Sequence, residues 1–583
     1  MIGFLIKFTD IFPNEEMPKK PLDLIKHIPK EELLVTLSSI NSLLNPIFNS
    51  YFDDSKENQH RCLKTVFYNT NIKDLSPELY KIYIDIIIFF NQNNNASIFS
   101  RMTCLFAIQE IVDSDDFTKK TPFYTSEIRF NILKYILCVN SILLESDKHY
   151  NDAGVNELGS NFFEFFMFKE LQKNQYYNSF NSINYFYKSF QLLRSIEKDV
   201  KFGLELQKYF FEKYGFQSLI DFIKNIIYTY FKSYDKNLNV NYINIEKERT
   251  DLIKIFDAFS ERLNGQSYNS SDLRYLDFLN LKKGPLYKST IKDDSNIISY
   301  LVLDTDLFIG KMYDLLINDF WFDYLKPNNI CNRSDWGSFI GNSFFEPFLT
   351  DIFEKSFKNN NRITFKHTDD LKFTLDGRNQ IEYADFYIRS KNKIILIEAK
   401  SNYLPQVNGY KTVLTKNDYL KIDLDKFYKD YGLIQLACKT IKDFHSYKYK
   451  IEDKHFKVDD KVELFPTLLV NDHIFSSGYS SMAFKKKFEE LLLNEGIEIE
   501  NQNHKIYPLT IINVNELMTI SKSLEYGLEN IFNIFRHYHS STSIDMIIKT
   551  QNTNLGLLTI KDTINKLIKK NLLINKDFDW LFN

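Results

Sequence analysis

The stretch 381–401 constrains the fold most, because it predicts two short β-strands joined by a tight two-residue turn at 391–392. The register of such a hairpin places Asp385 directly opposite Glu398, with their Cβ atoms about 4.5–5.5 Å apart. Lys400 follows Glu398 by two residues and therefore points to the same side of the strand. The hairpin is thus predicted to gather two carboxylates and an ammonium group on one face of a sheet.

Two carboxylates held this close repel each other unless a positive charge lies between them. A divalent cation is the simplest such charge, and Mg²⁺ binds carboxylate oxygens, keeps waters and shares substrate phosphates. The alternative is a salt-bridged sheet edge in which Asp385, Glu398 and Lys400 have no catalytic role. Their convergence at the end of a strand of the buried type favours the metal site.

Asp385 and the triplet Glu398-Ala399-Lys400, which closes the apolar strand 394–397, resemble the motif of the PD-(D/E)XK nuclease superfamily. These enzymes have the restriction-endonuclease-like fold and cleave phosphodiester bonds with a divalent metal. The resemblance implies that Lys400 orients or helps to deprotonate the attacking water. It also implies products with a 5′-phosphate and a 3′-hydroxyl.

The resemblance covers roughly residues 334–515, and Ala384 stands where the name of the family has proline. It implies a mixed sheet flanked by helices and Mg²⁺ as the cofactor, with Mn²⁺ as a substitute. The metal ligands it implies are Asp385, Glu398 and the carbonyl group of Ala399.

Members of this superfamily usually add an acidic residue from the first core helix, and Glu346 is the candidate here, with Glu354 in reserve. Glu346 would reach the metal directly or through water. The alternative is that Ser343 and Glu346 form a capping box, in which Glu346 only accepts a hydrogen bond from a backbone N–H. Pro347 argues against that alternative, because it would stand where a helical N–H is needed.

Gln435 lies in a predicted helix near 427–446, one turn before Lys439 and on the face that the apolar residues leave. Several branches of the superfamily place a helix glutamine beside the metal, where it contacts the metal-bound water or DNA. An ordinary solvated helix face is the equal alternative for Gln435. The connection 403–421 is rich in lysine and tyrosine and offers either phosphate and base contacts or a solvated surface.

The order of predicted elements gives the fold class. Residues 1–305 read as mostly helical, with apolar residues at steps of three and four. A helix over 334–357 that is interrupted near Pro347 follows, and then come strands at 363–367 and 372–375, the hairpin, a helix and further strands of the same sheet. The region 306–515 is therefore predicted to be a nuclease-like α/β domain and 516–583 a helical C-terminal tail. The overall prediction is an α+β protein with a large α-helical N-terminal region, whose boundary lies in the turn-rich stretch 264–296.

Composition excludes several classes of protein. The formal net charge is −3, so affinity for nucleic acid must come from a local patch rather than from the whole chain. The five cysteines form no CxxC pair or Cys/His cluster, which argues against a zinc site and a disulfide scaffold. We expect no signal peptide, no membrane span and a cytoplasmic location.

The sequence therefore predicts a Mg²⁺-dependent nuclease acting on DNA, of the kind found in prokaryotic defence and restriction systems. An RNA-cleaving effector with the same site is one alternative, and an inactive nucleic-acid-binding or scaffold protein is another. The region 1–305 would sense, recruit or oligomerise, so a homo-oligomer or a partner protein is left open. No P-loop is present in the sequence, which argues against nucleotide-driven translocation.

Overall fold

The computed structural model divides the chain into two compact units, Met1–Gly154 with Tyr176–Ile330, and Val155–Gln175 with Cys331–Asn583. The residues that it describes are 4–45, 52–68, 70–93, 96–118, 125–151, 164, 167–168, 182–215, 218–233, 242–263, 277–290, 296–367, 372–375, 379–382, 384–402, 422–437, 461–475, 477–499, 504–551 and 553–567.

This division differs from the one that the sequence predicts. The first unit continues to Ile330 instead of ending at 305, and the predicted boundary stretch lies partly outside the described residues. The predicted tail 516–583 belongs to the second unit rather than to a part of its own. Each unit is taken separately below.

The first unit consists mainly of α-helices with two small sheets. The helices are α1 (Phe8–Ile11), α2 (Lys30–Leu44), α3 (Lys56–Val66), α4 (Pro77–Gln92), α5 (Arg101–Asp113), α6 (Ser126–Asn151), α7 (Ser182–Lys198), α8 (Val200–Tyr214), α9 (Leu219–Ser233), α10 (Thr250–Ala258), α11 (Leu279–Lys283), α12 (Thr305–Gly310) and α13 (Asp314–Asp319). The strands are β1 (Phe4–Leu5), paired in parallel with β2 (Ala96–Ser97), and β3 (Tyr242–Glu246), β4 (Leu286–Lys288) and β5 (Ile297–Val302), in the antiparallel order β3-β5-β4.

Local sequence explains where these helices begin. Ser55, Ser76 and Ser100 each accept a hydrogen bond from a backbone N–H of the first turn that follows, as N-cap residues do. The helices then bury their apolar residues in one core, in which Leu34, Leu105 and Leu133 are fully buried. The helical N-terminal region that the sequence predicts is therefore present.

The second unit is a mixed sheet with helices around it. Its helices are α14 (Arg333–Ser338), α15 (Glu346–Phe357), α16 (Leu424–Asp430), α17 (Gly478–Asn494), α18 (Val514–Glu525), α19 (Ile531–Ser541), α20 (Ile544–Thr550) and α21 (Ile560–Leu567). Its strands are β6 (Thr364–His367), β7 (Lys372–Leu375), β8 (Asn379–Glu382), β9 (Phe386–Ser390), β10 (Lys393–Lys400), β11 (Val462–Val470), β12 (His504–Ile506) and β13 (Thr510–Asn513).

The sheet begins as an antiparallel meander and continues in parallel. Strands β6, β9 and β10 are antiparallel neighbours, β11 lies parallel beside β10, and β12 and β13 both pair in parallel with β11. The interior of β10 is buried on both faces, as expected for a central strand between helical layers. The mixed α+β character that the sequence predicts is therefore confirmed.

One predicted strand lies elsewhere. The sequence places 372–375 next to the hairpin in the main sheet, but β7 pairs only with β8 in a separate two-stranded hairpin, as far as the described residues show. The meander therefore passes from β6 directly to β9. Alternation of apolar residues predicts a strand but does not name its partner, which explains the difference.

Residues 333–357 form one helical run rather than a helix broken near Pro347. Between α14 and α15 the turn widens into a π-helix, Phe339–Phe345, in which the N–H of Glu346 donates to the carbonyl of Gly341. A proline ring inside an α-helix collides with the carbonyl four residues earlier, and a wider turn relieves that collision. Pro347 consequently lies in the first turn of α15 without ending the helical run.

The C-terminal helices belong to the same unit, and α18 packs against α15. Asn513 caps α18 through a capping box with Glu516. Among the residues that the structure describes, no helix combines the length and the apolar character that crossing a bilayer requires.

Candidate metal centre

The hairpin of β9 and β10 has the register that the sequence predicts. Ser390 pairs with Lys393 across the two-residue turn, where Lys391 adopts a left-handed conformation with φ 55°, and the pairing runs to Phe386 and Ile397. The regular ladder ends there, and beyond it the N–H of Asp385 donates to the carbonyl of Ile397 at 3.1 Å. Asp385 thus lies one residue outside the strand, at the end of β10 where Glu398 and Lys400 project.

Two short hydrogen bonds fix the charged side chains. Oδ2 of Asp385 accepts from the backbone N–H of Ala399 at 2.6 Å, and Nζ of Lys400 donates to Oε1 of Glu398, also at 2.6 Å. Among the described residues, Oδ1 of Asp385 and Oε2 of Glu398 have no hydrogen-bond partner. One oxygen of each carboxylate is therefore left for a further ligand.

The electrostatics of the pair show a shortage of positive charge. Burial, and after it the charge of Glu398, raise the pKa of Asp385 to about 8 against the opposing effects of Lys400 and the Ala399 amide. Burial disfavours the charged form of Lys400, but the surrounding carboxylates outweigh this and raise its pKa. The site consequently favours any additional cation.

Glu346 belongs to the same electrostatic group. It is half-buried at the start of α15, and its charge raises the pKa values of both Asp385 and Lys400. Ser343 lies inside the π-helix and not at a helix start, so the capping-box alternative does not describe Glu346. Glu354, the reserve candidate, is exposed on the surface of α15.

Gly432 approaches the side chains of Glu398 and Lys400 closely. It has φ +74°, and a Cβ atom built on it would lie 2.5 Å from Cγ of Glu398 and 2.6 Å from Cε of Lys400. The helical residues 433–437 follow and include Gln435, whose Oε1 is buried with no hydrogen-bond partner among the described residues. Lys439 and the rest of 438–446, the end of the predicted helix 427–446, lie outside the described residues, as does the connection 403–421.

The donor set fits Mg²⁺ in its chemistry. Two carboxylates, each with one available oxygen, and a backbone carbonyl at Ala399 are the hard oxygen ligands that this ion prefers. In the described part of the chain, no three His, Cys, Asp or Glu side chains lie close enough to form a complete metal site by themselves. A bound ion would therefore need further ligands, such as water, to complete its coordination.

Sequence reasoning did not identify Gly432. Its signal was only a glycine ahead of a helix, 34 positions after Glu398, and the approach of the two segments is a tertiary feature. A separate cavity of about 300 Å³ is lined by residues that include Glu164, Tyr428 and Lys486, and none of the predicted site residues lines it.

No protein family, curated protein or solved structure compared with this chain matches it.

Proposed function

We propose that the second unit is a Mg²⁺-dependent phosphodiesterase that cleaves DNA, with a restriction-endonuclease-like core. The observation that carries this proposal is the pair Asp385 and Glu398, which lie at the end of β10 beside Lys400 with one oxygen each left over. The chain order of a meander, a parallel strand and flanking helices supports the proposal. A role in prokaryotic defence or restriction is the setting we propose for such an enzyme.

The residues have distinct parts in the reaction. Asp385, Glu398 and the carbonyl of Ala399 would hold the cation, and Glu346 would reach it through water. The bound ion would polarise the scissile phosphate and lower the pKa of a coordinated water. Lys400 stays protonated beside Glu398, so it donates hydrogen bonds that orient the water and offset the charge that develops on the phosphate.

Gln435 follows Gly432 by three residues, in the helical segment 433–437. An amide oxygen that is buried without a partner costs free energy, about 1–3 kcal/mol. A water or a nucleotide group that donates a hydrogen bond to Oε1 would remove that cost. We therefore propose that Gln435 contacts the attacking water or the nucleic acid.

A plasmid-nicking assay tests the proposal. Purified wild-type protein should convert supercoiled DNA to nicked or linear forms with Mg²⁺ or Mn²⁺ and not with EDTA. Lys400→Ala should reduce the rate by about 100-fold or more, because one group that stabilises the transition-state charge is lost. Lys355→Ala is the matched control, since Lys355 is an exposed lysine on α15 that pairs with Asp351.

The outcomes separate the candidate functions. Cleavage of labelled RNA but not of DNA under the same conditions would favour an RNA-cleaving effector. Binding of nucleic acid without cleavage of either would favour an inactive scaffold. Equal activity of Asp385→Ala and wild type would remove the site assignment, whatever the substrate.

A further inference from the structure

The contact between Gly432 and the side chains of Glu398 and Lys400 is closer than a side chain at 432 permits. Carbon atoms that are not bonded rest about 3.5–4.0 Å apart, whereas a Cβ at 432 would lie 2.5 Å from Cγ of Glu398 and 2.6 Å from Cε of Lys400. These two carbon atoms are not the free ends of flexible side chains, because Glu398 and Lys400 are held by their 2.6 Å ion pair. The backbone of Gly432 itself therefore packs on both side chains.

The backbone conformation at this position makes the same demand independently. Gly432 has φ +74°, and its N–H donates to the carbonyl of Lys429 at 2.9 Å as the chain leaves α16. L-residues with a Cβ rarely adopt this region. Glycine thus allows both the turn after α16 and the approach of that turn to β10.

We propose that Gly432 is a positioning residue of the candidate site. Its bare backbone confines Glu398 and Lys400 to the one arrangement in which they form the 2.6 Å pair and leave Oε2 of Glu398 available beside Asp385. Any larger residue moves both side chains at once, so the carboxylates of Asp385 and Glu398 no longer have the arrangement that a cation requires. The catalytic consequence rests on the proposed function, whereas the packing itself does not.

A cycle of substitutions tests the packing without any assay of activity. Gly432→Ala is introduced into wild type and into the double variant Glu398→Ala/Lys400→Ala, which lacks the atoms that the new Cβ would meet. Gly496→Ala is the matched control in both backgrounds, because Gly496 has φ +67° and an added Cβ there meets nothing within 4 Å. The measurement is the midpoint of urea unfolding, with EDTA present.

The expected result is a coupling at 432 and none at 496. In wild type, Gly432→Ala should lower the midpoint of urea unfolding by about twice as much as Gly496→Ala does. In the truncated background, Glu398→Ala/Lys400→Ala, the two substitutions should lower the midpoint by the same amount. A Gly432→Ala protein that folds only in the truncated background would support the proposal more strongly. An equal loss in both backgrounds, or failure to fold in both, would overturn it.

Cleavage of DNA provides the second readout. Gly432→Ala should lower kcat by about tenfold or more and raise the Mg²⁺ concentration for half-maximal activity, with KM for DNA little changed. Gly496→Ala should keep both values. If no variant cleaves nucleic acid but the coupling at 432 is present, the proposed function fails and the packing role stands; cleavage that is unchanged in Gly432→Ala overturns the positioning role.

Discussion

The backbone N–H of Ala399 donates a 2.6 Å hydrogen bond to Oδ2 of Asp385. This bond connects the residue that precedes β9 to the C-terminal end of β10. The regular backbone pairing of β9 and β10 ends at Phe386 and Ile397, so at Asp385 a hydrogen bond from the backbone to the side chain joins the two segments instead. The carboxylate is thereby held beside Glu398 although the two charges repel. This arrangement has a consequence for the stability of the protein without metal.

The first prediction concerns the stability of the metal-free protein. Because burial and Glu398 raise the pKa of Asp385 from 3.8 to about 8, the folded state holds a proton that the unfolded state releases between these values. The contribution of Asp385 to the free energy of unfolding is therefore greatest below pH 3.8 and decreases as the pH rises towards 8. Asp385→Asn, which stays neutral, should raise the free energy of unfolding at pH 8 by about 1–3 kcal/mol in EDTA.

Urea unfolding at pH 5 and pH 8 measures this effect. The advantage of Asp385→Asn should be small at pH 5, where the wild-type carboxyl is protonated, and larger at pH 8. Asp351→Asn, on the surface of α15, should show no such dependence. A variant less stable than wild type at pH 8 would mean that the carboxylate is not strained in the metal-free site.

The hairpin was predictable because its information is local. A two-residue turn and the alternation of two short strands set the register from Ser390 and Lys393 to Phe386 and Ile397, and this register is observed. The helical N-terminal region was predictable for the same reason, since apolar spacing and capping residues act within a few turns. These predictions need no knowledge of distant parts of the chain.

Other features depend on contacts between distant segments. The approach of Gly432 to Glu398 joins residues 34 positions apart, and no property of either residue alone reports it. The π-helix before Pro347 replaces a predicted break, because the wider turn accommodates the proline ring without ending the helix. The isolated pairing of β7 with β8 is likewise a choice of partner that alternation does not encode.

The second prediction distinguishes the two glutamates of α15. Glu346→Gln should reduce Mg²⁺-dependent cleavage by about 10- to 100-fold, because a charge that acts on Asp385 and Lys400 is removed beside the metal. Glu354→Gln should leave the rate unchanged, since Glu354 is exposed on the same helix. Rates measured over a range of Mg²⁺ concentrations check this, and equal effects of the two substitutions would contradict it.

The third prediction concerns a buried histidine beneath the sheet. His539 on α19 forms a 3.0 Å hydrogen bond with Thr510 through Nε2 and packs against Tyr507, with ring centroids 5.3 Å apart. Burial lowers its pKa well below the ordinary value, with a smaller contribution from the charge of Lys485. The unfolded state therefore takes up a proton that the folded state excludes.

The contribution of His539 to the free energy of unfolding is thus fully present above the pKa of an unfolded histidine, near 6.5, and decreases as the pH falls below that value. The free energy of unfolding should decrease by up to about 1.4 kcal/mol for each pH unit below that value. His539→Gln, which does not titrate, should remove this slope although it costs stability at neutral pH. Urea unfolding between pH 5 and 7 provides the measurement, and an unchanged slope would show that another group is responsible.

The last prediction tests a buried ion-pair network in the first unit. The guanidinium group of Arg101 on α5 forms a bidentate contact with Asp304, at 2.7 and 2.8 Å, and lies 3.1 Å from Asp306. Asn41 donates a further hydrogen bond of 2.9 Å to Asp304, and the side chains of Arg101 and both aspartates are at most 4% exposed. The network therefore joins α2, α5 and the start of α12 within one core.

Arg101→Met should lower the free energy of unfolding by about 3–5 kcal/mol, because two buried carboxylates lose their counter-charge. Arg101→Lys should cost less, since it keeps the charge but not the planar fork. Neutralising the partners as well, in Arg101→Met/Asp304→Asn/Asp306→Asn, should recover part of the loss, because no uncompensated charge then remains in the core. Urea unfolding of the four proteins decides the matter: a loss below about 1 kcal/mol in Arg101→Met would mean that water reaches the aspartates and that this network does not hold the helices together.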